Sequence, residues 1–483
     1  MRYSCFLKLF YFCLFSAIIF NAKNSLAQDS TLRYNAAVLL AGSTGKTPFW
    51  IRANQNATIP LNGNFVSGHW GIYKIYNNNN PRIFQWSGGA EVVTNYEQSG
   101  KVIFTDLYIA GKIGPIEFLA GQKKGVMGLM DTTLTSGSLS FSGNARPFPQ
   151  IKISVPRFFP LAFTNYLVSL KFSYSDGLLG GSDINYGSIH HVPLTYLHQK
   201  SLYFKVGMPN NNLNIYAGIN HQVIWGGENK ISPSYDLISS KAYWHAITGK
   251  TFNYRKIGDH FGTIDLGTEW KNSNWSYFLY RQNIYETGSL FQLTHFQDGL
   301  NGLRIKRNKV VSNQKYTNFI IRSLLFEFIN TKNQINNSPL SGLAIFEKGN
   351  YFNSYIYSNG WAYRGRGLGT PLITEKNLSD KNLPEVATQF TNNNRITTFH
   401  TGFEATWLNT SLTFKGTYSS NFGTYLRPFN NNKKQLSVLI TAEKNIKKWN
   451  NLSFITSISS DSGSLYPNSM GILVGIRKNG FLN

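Results

Sequence analysis

Cysteine is almost missing from this 483-residue chain, and both copies, Cys5 and Cys13, stand near its start. The rest of the chain therefore has no disulfide scaffold, no thiol nucleophile and no cysteine-based zinc site. Charged residues are also scarce, at 14%. After the first 27 residues, the sequence contains no run of about 20 apolar residues, which is the length a helix needs to cross a bilayer. No linker rich in proline, serine or glycine divides the chain, so we expect one domain over residues 28–483.

Residues 1–27 predict a cleaved export signal. Arg2 and Lys8 give a basic start, and the apolar run from Leu9 to Phe20 is too short to span a bilayer as a helix. The small residues of Ser25-Leu26-Ala27 fit cleavage before Gln28. No cysteine follows this cut to carry a lipid, so the sequence predicts export through the general secretory route without lipidation.

A large positive charge points to an anionic partner. The whole chain carries +24, and without Arg2, Lys8 and Lys23 the exported part would carry +21. Such an excess attracts nucleic acid, lipopolysaccharide phosphates or acidic polysaccharide. Export argues against nucleic acid, and no zinc finger, helix-turn-helix or RNA-binding signature is present. The expected partners are an acidic capsular or extracellular polysaccharide and the lipid and lipopolysaccharide of an outer membrane.

Alternation with period two recurs from about residue 100 onward and predicts antiparallel hairpins. Ile264, Leu266 and Trp270, for example, alternate with polar residues before Lys271–Asn274, which predicts a tight turn. Asn409–Thr410 predicts another turn. The other predicted hairpin strands are Leu202–Val206, Leu213–Ile219, Phe399–Trp407, Leu412–Tyr418, Leu436–Glu443, Leu452–Ser459 and Met470–Ile476. The asparagine runs Asn77–Asn80, Asn210–Asn212, Asn392–Asn394 and Asn430–Asn432 are interpreted as solvated turns.

The fold class follows from the context of these strands. A soluble β-sandwich would show the same alternation. Export, absent cysteines, 15% aromatic residues and hairpins over some 400 residues favour an all-β transmembrane barrel with aromatic girdles. Within it, Leu412, Phe414 and Tyr418 are expected to face outward and Thr413 inward.

Catalysis has little support in the sequence. No nucleophile elbow, P-loop, dinucleotide fingerprint or His-Glu-x-x-His motif occurs. His190, His191 and His198 lie near one another but lack a carboxylate at ligand spacing, so we interpret them as loop or lumen residues. The sequence predicts a protein without catalytic residues, metal or cofactor.

Four segments break the strand pattern and carry side chains suited to sugars. Tryptophan and tyrosine stack on the C–H faces of sugar rings, amides and histidine pair with hydroxyls, and arginine pairs with carboxylates. A structural interpretation stays open for each residue, because glycine and tryptophan also mark barrel bends and girdles. The candidate polysaccharide-binding residues are Trp50, Arg52, Asn54, Arg146, His221, Trp225, Trp361, Tyr363, Arg364 and Arg366.

The chain resembles the capsule assembly proteins of the Wzi type, in their broad and diverged envelope branch. The resemblance spans almost all of the exported chain. The matching stretches are Pro48-Phe49-Trp50 with Ala53-Asn54-Gln55, Ser142–Pro147, Gly218–Gln222 with Trp225-Gly226-Gly227, Gly258–Gly262, Tyr285–Ser289 with Asp298-Gly299-Leu300, Gly360–Pro371, and Asn393–Ile396.

This resemblance implies an outer-membrane barrel of about eighteen strands, whose lumen is occluded by inserted loops or an N-terminal segment. It also implies a lectin-like, non-enzymatic role in holding capsular or exopolysaccharide at the cell surface, by a protein we expect to be a monomer. One departure is the ending, since many outer-membrane barrels close on a terminal aromatic residue and Phe481 stands two residues early. The alternative function is an outer-membrane porin or diffusion channel for anionic solutes.

Overall fold

Eighteen antiparallel strands form one closed sheet in the computed structural model. The structure describes residues 31–482 except 78, 209, 234–236, 254, 287–295, 309–318, 335–348 and 450–451. The first strand pairs with the second and also with the last, where Leu32 lies opposite Leu482, and this second pairing closes the barrel. The predicted fold class and strand number are confirmed. The predicted signal, residues 1–27, lies outside the described residues.

The strands are β1 Leu32–Ser43, β2 Phe65–Lys74, β3 Phe84–Tyr96, β4 Gly100–Ile113, β5 Ile116–Gln122, β6 Gln150–Pro160, β7 Val168–Asp183, β8 His191–Val206, β9 Leu213–Trp225, β10 Asp259–Lys271, β11 Trp275–Glu286, β12 Gly299–Arg307, β13 Ile320–Asn330, β14 Ile396–Trp407, β15 Thr410–Gly423, β16 Pro428–Ile446, β17 Leu452–Gly463 and β18 Ser469–Leu482. The short helices are α1 Phe49–Arg52, α2 Glu228–Ile231 and α3 Ser239–Thr248, with 3-10 turns at Ala162–Thr164, Lys376–Leu378 and Lys447–Trp449. Two small hairpins, Thr251–Phe252 with Arg255–Lys256 and Ala362–Tyr363 with Arg366–Gly367, lie outside the barrel sheet. Among the described residues, no helix is both long enough and apolar enough to cross a bilayer.

Side chains alternate between an apolar exterior and a polar lumen. On β15 and β16, Tyr418 and Ile440 are exposed, whereas Thr417 and Ser437 on the opposite face are buried. Exposed Leu, Ile, Val, Phe and Trp residues recur around the barrel. This exterior has the chemistry of a lipid-facing surface, because only alternate residues of a transmembrane strand meet lipid.

The two ends of the barrel differ in loop length. One end carries short turns, such as residues 114–115, 272–274 and 408–409. The other end carries the long connections, among them residues 44–64, 123–149, 226–258 and 331–395. Below, these are called the short-turn end and the long-loop end.

Three of the long connections enter the lumen and fill it. The described parts of residues 44–64, 123–149 and 331–395 are here called the plug. Leu134, Leu139, Phe352 and Leu368 of the plug are at most 1% exposed and belong to one apolar core inside the barrel. The expected occlusion by inserted loops is confirmed for these segments.

Carboxylates of the wall hold the plug through its backbone. Asp265 accepts a hydrogen bond from the amide of Leu129 at 2.9 Å, and Glu327 accepts one from the amide of Ser136 at 2.7 Å. Asp461 accepts one from the amide of Phe49 at 2.8 Å. Many lumenal acids are therefore partners of otherwise unsatisfied plug amides, as buried backbone donors require.

Several predicted turns need correction. Asn430–Asn432 lies within β16, so its residues extend a strand instead of turning the chain. Asn392–Asn394 lies in the plug and is at most 2% exposed, where Asn394 donates to Asn350 at 2.7 Å. The turn predicted at Asn409–Thr410 is Leu408-Asn409, because Trp407 already pairs with Thr410. The turn after Lys271 and the turn at 207–212, which contains Asn210–Asn212, lie where expected.

Candidate functional site

Two arginines of the plug, Arg146 and Arg364, stand on segments that contact each other, because Asn144 donates to the carbonyl of Gly367 at 3.3 Å and Phe148 packs against Tyr363. Arg364 and Gly365 form the tip of the hairpin Ala362–Gly367, with φ values of 52° and 74°. Two successive positive φ angles suit a two-residue hairpin turn, and they hold the exposed Arg364 side chain away from the core. Arg146 is half-buried beside it. Burial and the charge of Arg364 lower the pKa of Arg146.

This Arg146–Arg364 pair has no carboxylate counterpart among the described residues. No ion pair of the described chain includes either residue, and the buried Nε of Arg146 lacks a hydrogen-bond partner. Two guanidinium groups held together without an acid repel each other. Because each is a planar fork that fits a carboxylate or phosphate, the pair is suited to an external anion.

An aromatic surface accompanies the pair. Arg364 lies 5.8 Å from the ring of Tyr363, which packs edge-on against Phe148 at 6.0 Å. Phe148 is fully buried and fixes this end of the plug against the wall near Gly177. Tyr363 is 8% exposed, so its ring is largely buried beside Arg364 and belongs to the core of the plug.

Arg366 differs from Arg364 although the two are only two residues apart. Its Nη1 lies 3.4 Å from Oε1 of Glu375, and the side chains are 9% and 6% exposed. Burial lowers the pKa of Arg366, and Glu375 opposes that shift. Arg366 thus has an internal partner within the plug, which is the structural role left open by the sequence.

Three further candidates lie around α1. The Trp50 indole donates to Oγ1 of Thr417 at 3.1 Å, and Arg52 lies 5.5 Å from the ring of Phe49 in the interior. Asn54, with φ 56°, keeps both polar side-chain atoms buried and without a hydrogen-bond partner among the described residues.

A lumenal cavity of about 510 Å³ adjoins this helix. Trp50 and Asn54 line it together with wall residues Thr413 and Lys415, and Lys415 lies 5.1 Å from the Trp50 ring. Trp50 is 1% exposed, so the cavity offers mainly amide, hydroxyl and ammonium groups, which can pair with sugar hydroxyls. The lysines of this cavity, Lys124 and Lys415, were not among the sequence candidates, because single lysines on a strand or loop carry no signal.

The last three candidates do not join the Arg146–Arg364 pair. Trp361 is 1% exposed and packs 5.4 Å from Phe261. His221 and Trp225 lie on β9, where His221 contacts His260 at 2.9 Å and Trp225 stacks on Tyr196 at 4.8 Å. These two side chains point to the outside of the barrel wall, whereas the neighbouring Gln222 points inward to the plug.

A family model described as capsule assembly protein Wzi matches residues 76–399. The chain belongs to this family. The resemblance stated from the sequence motifs is therefore confirmed, although Thr287, Gly288 and Ser289 of those motifs lie outside the described residues. No match is found among curated proteins.

One solved barrel shares the fold, and two further solved structures are more distantly similar. Wzi of Escherichia coli, described as an outer membrane protein involved in group 1 capsule assembly and as a carbohydrate-binding β-barrel, has a TM-score of 0.56 at 14% identity, over 94% of this chain and 85% of that chain. OccAB4 of Acinetobacter baumannii has a TM-score of 0.48 at 7% identity, over 94% and 100%. OccK5 of Pseudomonas aeruginosa has a TM-score of 0.48 at 6% identity, over 95% and 100%.

Proposed function

We propose that this Wzi-family protein is a non-enzymatic outer-membrane barrel that holds an acidic capsular or extracellular polysaccharide at the cell surface. The observation that carries the proposal is the Arg146–Arg364 pair, which lacks an internal counterion among the described residues and lies beside Tyr363. The Wzi of Escherichia coli, which has the same fold, is described as carbohydrate-binding, and that description agrees with the proposal.

The apolar exterior supports an outer-membrane location. Closed barrels satisfy every strand amide without water, which lets them stand in lipid. In barrels of this kind the short turns face the periplasm and the long loops face outward. With that orientation, the plug and its exposed arginines would meet polysaccharide on the outer side.

The filled lumen favours a polysaccharide-binding protein over a diffusion channel. An open barrel of eighteen strands would leave an aqueous channel. Here apolar plug residues such as Leu139 and Leu368 are fully buried inside the wall. The anion-channel alternative would need that packed core to open.

The candidate residues differ in exposure and in whether they already have a partner inside the protein. Arg146 and Arg364 would meet the acidic groups of the glycan, because neither has an acidic partner among the described residues, and Tyr363, which is 8% exposed, would present only a small part of its surface. Trp50 and Asn54 would contribute only if a sugar enters the lumenal cavity of about 510 Å³. We assign Arg52, Trp361 and Arg366 to the scaffold of the plug, and His221 and Trp225 to the exterior wall.

Cells carrying Arg146→Ala with Arg364→Ala test the proposal. The expected result is a shift of polysaccharide from the cell surface to the medium, with an unchanged amount of heat-modifiable, folded barrel. Arg427→Ala is the matched control, because Arg427 is exposed in the turn between β15 and β16 at the same end of the barrel. Wild-type retention by the folded double variant would contradict the proposed site.

A further inference from the structure

The outer wall of β7 to β10 changes from apolar to ionisable within a few residues. Tyr203 of β8 faces the lumen, since its hydroxyl donates to Asp265. Side chains alternate along a strand, so the β7–β8 residue pairs next to Tyr203 face the exterior. The pair Leu170 with Phe204 is apolar. Further along β7 on the same exterior face, Tyr174 pairs with Lys200. At the next exterior position, Asp176 pairs with His198.

Histidines extend this polar patch across the next strands. His221 lies opposite Lys200, and His260 lies opposite Val223 on the same exterior face. His198 is fully buried, and its Nδ1 lies 2.9 Å from Oδ1 of Asp176. A bare patch of this composition at the edge of the lipid-facing band would be costly, so its burial requires a cover.

Helix α3 supplies that cover from outside the barrel. The Tyr243 hydroxyl donates to Oδ2 of Asp176 at 2.8 Å and lies 2.7 Å from the Tyr174 hydroxyl. Lys200 donates to the backbone carbonyl of Ile247 near the end of the helix. These contacts fix α3 to the exterior wall, and Tyr243 also packs 5.4 Å from Trp225, where β9 ends at the long-loop end.

Apolar packing completes the attachment. Leu237, Ala242 and Ile257 form a small core that is separate from the core in the lumen, with Trp225 and Phe252 packed against it. The inner face of α3 is therefore occupied by the wall and by its own loop.

The opposite face of this segment has no cover among the described residues. Ile238 and Trp244 are 58% and 55% exposed, and Lys241 lies between them on the exposed side. Lys250 is also exposed just beyond the helix. The loop 226–258 contains five basic residues and two acidic ones, and the one acid whose side chain is described there, Glu228, is buried.

We propose that this outer stripe of Ile238, Lys241, Trp244 and Lys250 binds lipid A in the outer leaflet, with the two lysines on its phosphate groups. Tryptophan favours the boundary between lipid and water, and lysine reaches charged headgroups while its stem stays in apolar surroundings. Tyr243 of α3 packs 5.4 Å from Trp225, the last residue of β9, so the stripe stands toward the long-loop end, where that boundary would lie. The proposal rests on the outer-membrane location and orientation proposed above, and it does not depend on the polysaccharide site.

The test is binding of purified bisphosphorylated lipid A to the full-length mature barrel, measured by native mass spectrometry. Lys241→Glu with Lys250→Glu should weaken binding by at least about tenfold, because each lysine near an anionic surface contributes strongly. Lys448→Glu, at the exposed short-turn end, should leave binding unchanged. Dephosphorylated lipid A should bind wild type as weakly as the intact lipid binds the double variant.

Three outcomes would overturn the assignment: equal binding by wild type and the folded double variant, equal binding of both lipids, or equal loss in the control. Trp244→Cys offers a second readout, because the chain from residue 28 onward has no other cysteine. A nitroxide there, in an asymmetric proteoliposome, should be shielded from a water-soluble relaxation agent, and full exposure to that agent would contradict lipid contact. Polysaccharide binding by the same variants should stay at the wild-type level, which separates this proposal from the previous one.

Discussion

Arginine has different roles within a few residues of the plug. Arg364 projects from a hairpin tip with φ 52°, whereas Arg366 is 7% exposed and contacts Glu375. The sequence marked both as glycan contacts, because both stand among glycines and beside aromatic residues. Arg366 pairs with Glu375 because the chain returns to it nine residues later. The local sequence around the two arginines does not encode that contact.

Loss of the Arg366 side chain should damage the scaffold. Arg366→Ala leaves Glu375 buried without its partner, and breaking a buried pair in this way costs roughly 3–5 kcal/mol. We expect a lower midpoint in urea unfolding of the refolded barrel. Arg366→Lys keeps the charge and should recover part of the stability. Wild-type stability of Arg366→Ala would show that the pair is dispensable.

The two faces of β15 predict opposite responses to a charge. Phe414 lies on the exterior and stacks on Phe403 at 5.4 Å, so Phe414→Arg should cost roughly 2–4 kcal/mol if it stands near the bilayer midplane. Thr413 lines the lumenal cavity, where Thr413→Arg has room and water. Unfolding of both variants in lipid vesicles measures the difference. Equal destabilisation would contradict the assigned faces.

The alternation of apolar and polar residues predicted the strands well and their ends poorly. Leu436–Glu443 was predicted, and the observed β16 runs from Pro428 to Ile446. The apolar face marks only the part of a strand that meets lipid, while its polar extension through Asn430–Asn432 has the composition of a turn. Conversely, Asn392–Asn394 is buried because the lumen of a barrel is a polar interior.

The tight turn between β14 and β15 gives a prediction of its own. Leu408 and Asn409 have φ values of 49° and 60°, and a left-handed conformation costs a leucine roughly 1–2 kcal/mol. Leu408→Gly should therefore raise the free energy of unfolding or leave it unchanged, whereas Asn409→Val should lower it. Urea titration of the refolded barrel compares them. A more stable Asn409→Val variant would rule out this turn geometry.

The fold class could be predicted from the sequence, whereas the content of the lumen could be predicted only in outline. Occlusion by inserted loops was expected, and Leu368 and Thr370 of one such loop are indeed fully buried. Residues 123–149 gave no such signal, because irregular segments lack periodicity. The exterior position of His221 also depends on strand register, which motif spacing does not reveal.

The plug should control conductance. We expect the wild-type barrel to pass little ion current in planar bilayers. Residues 124–148 can be replaced by a four-residue glycine-rich turn, because Gly121 and Gln150 are already paired. That variant should conduct at least about tenfold more, since eighteen strands can enclose an aqueous channel. A wild-type conductance equal to that of the variant would contradict an occluded lumen.

Binding of an acidic polysaccharide through the Arg146–Arg364 pair, which has no internal counterion among the described residues, can be measured on the purified barrel. Calorimetric titration of the purified wild-type barrel with a uronic-acid polysaccharide, and with the same polymer after carboxyl reduction, tests it most directly. We predict that the wild-type barrel binds the acidic polymer. The affinity should fall by at least about tenfold when the carboxyl groups of the polymer are reduced, and likewise when the Arg146→Ala, Arg364→Ala variant replaces the wild type, because charge-assisted bidentate contacts are lost. Equal binding of both polymers by both proteins would contradict the account.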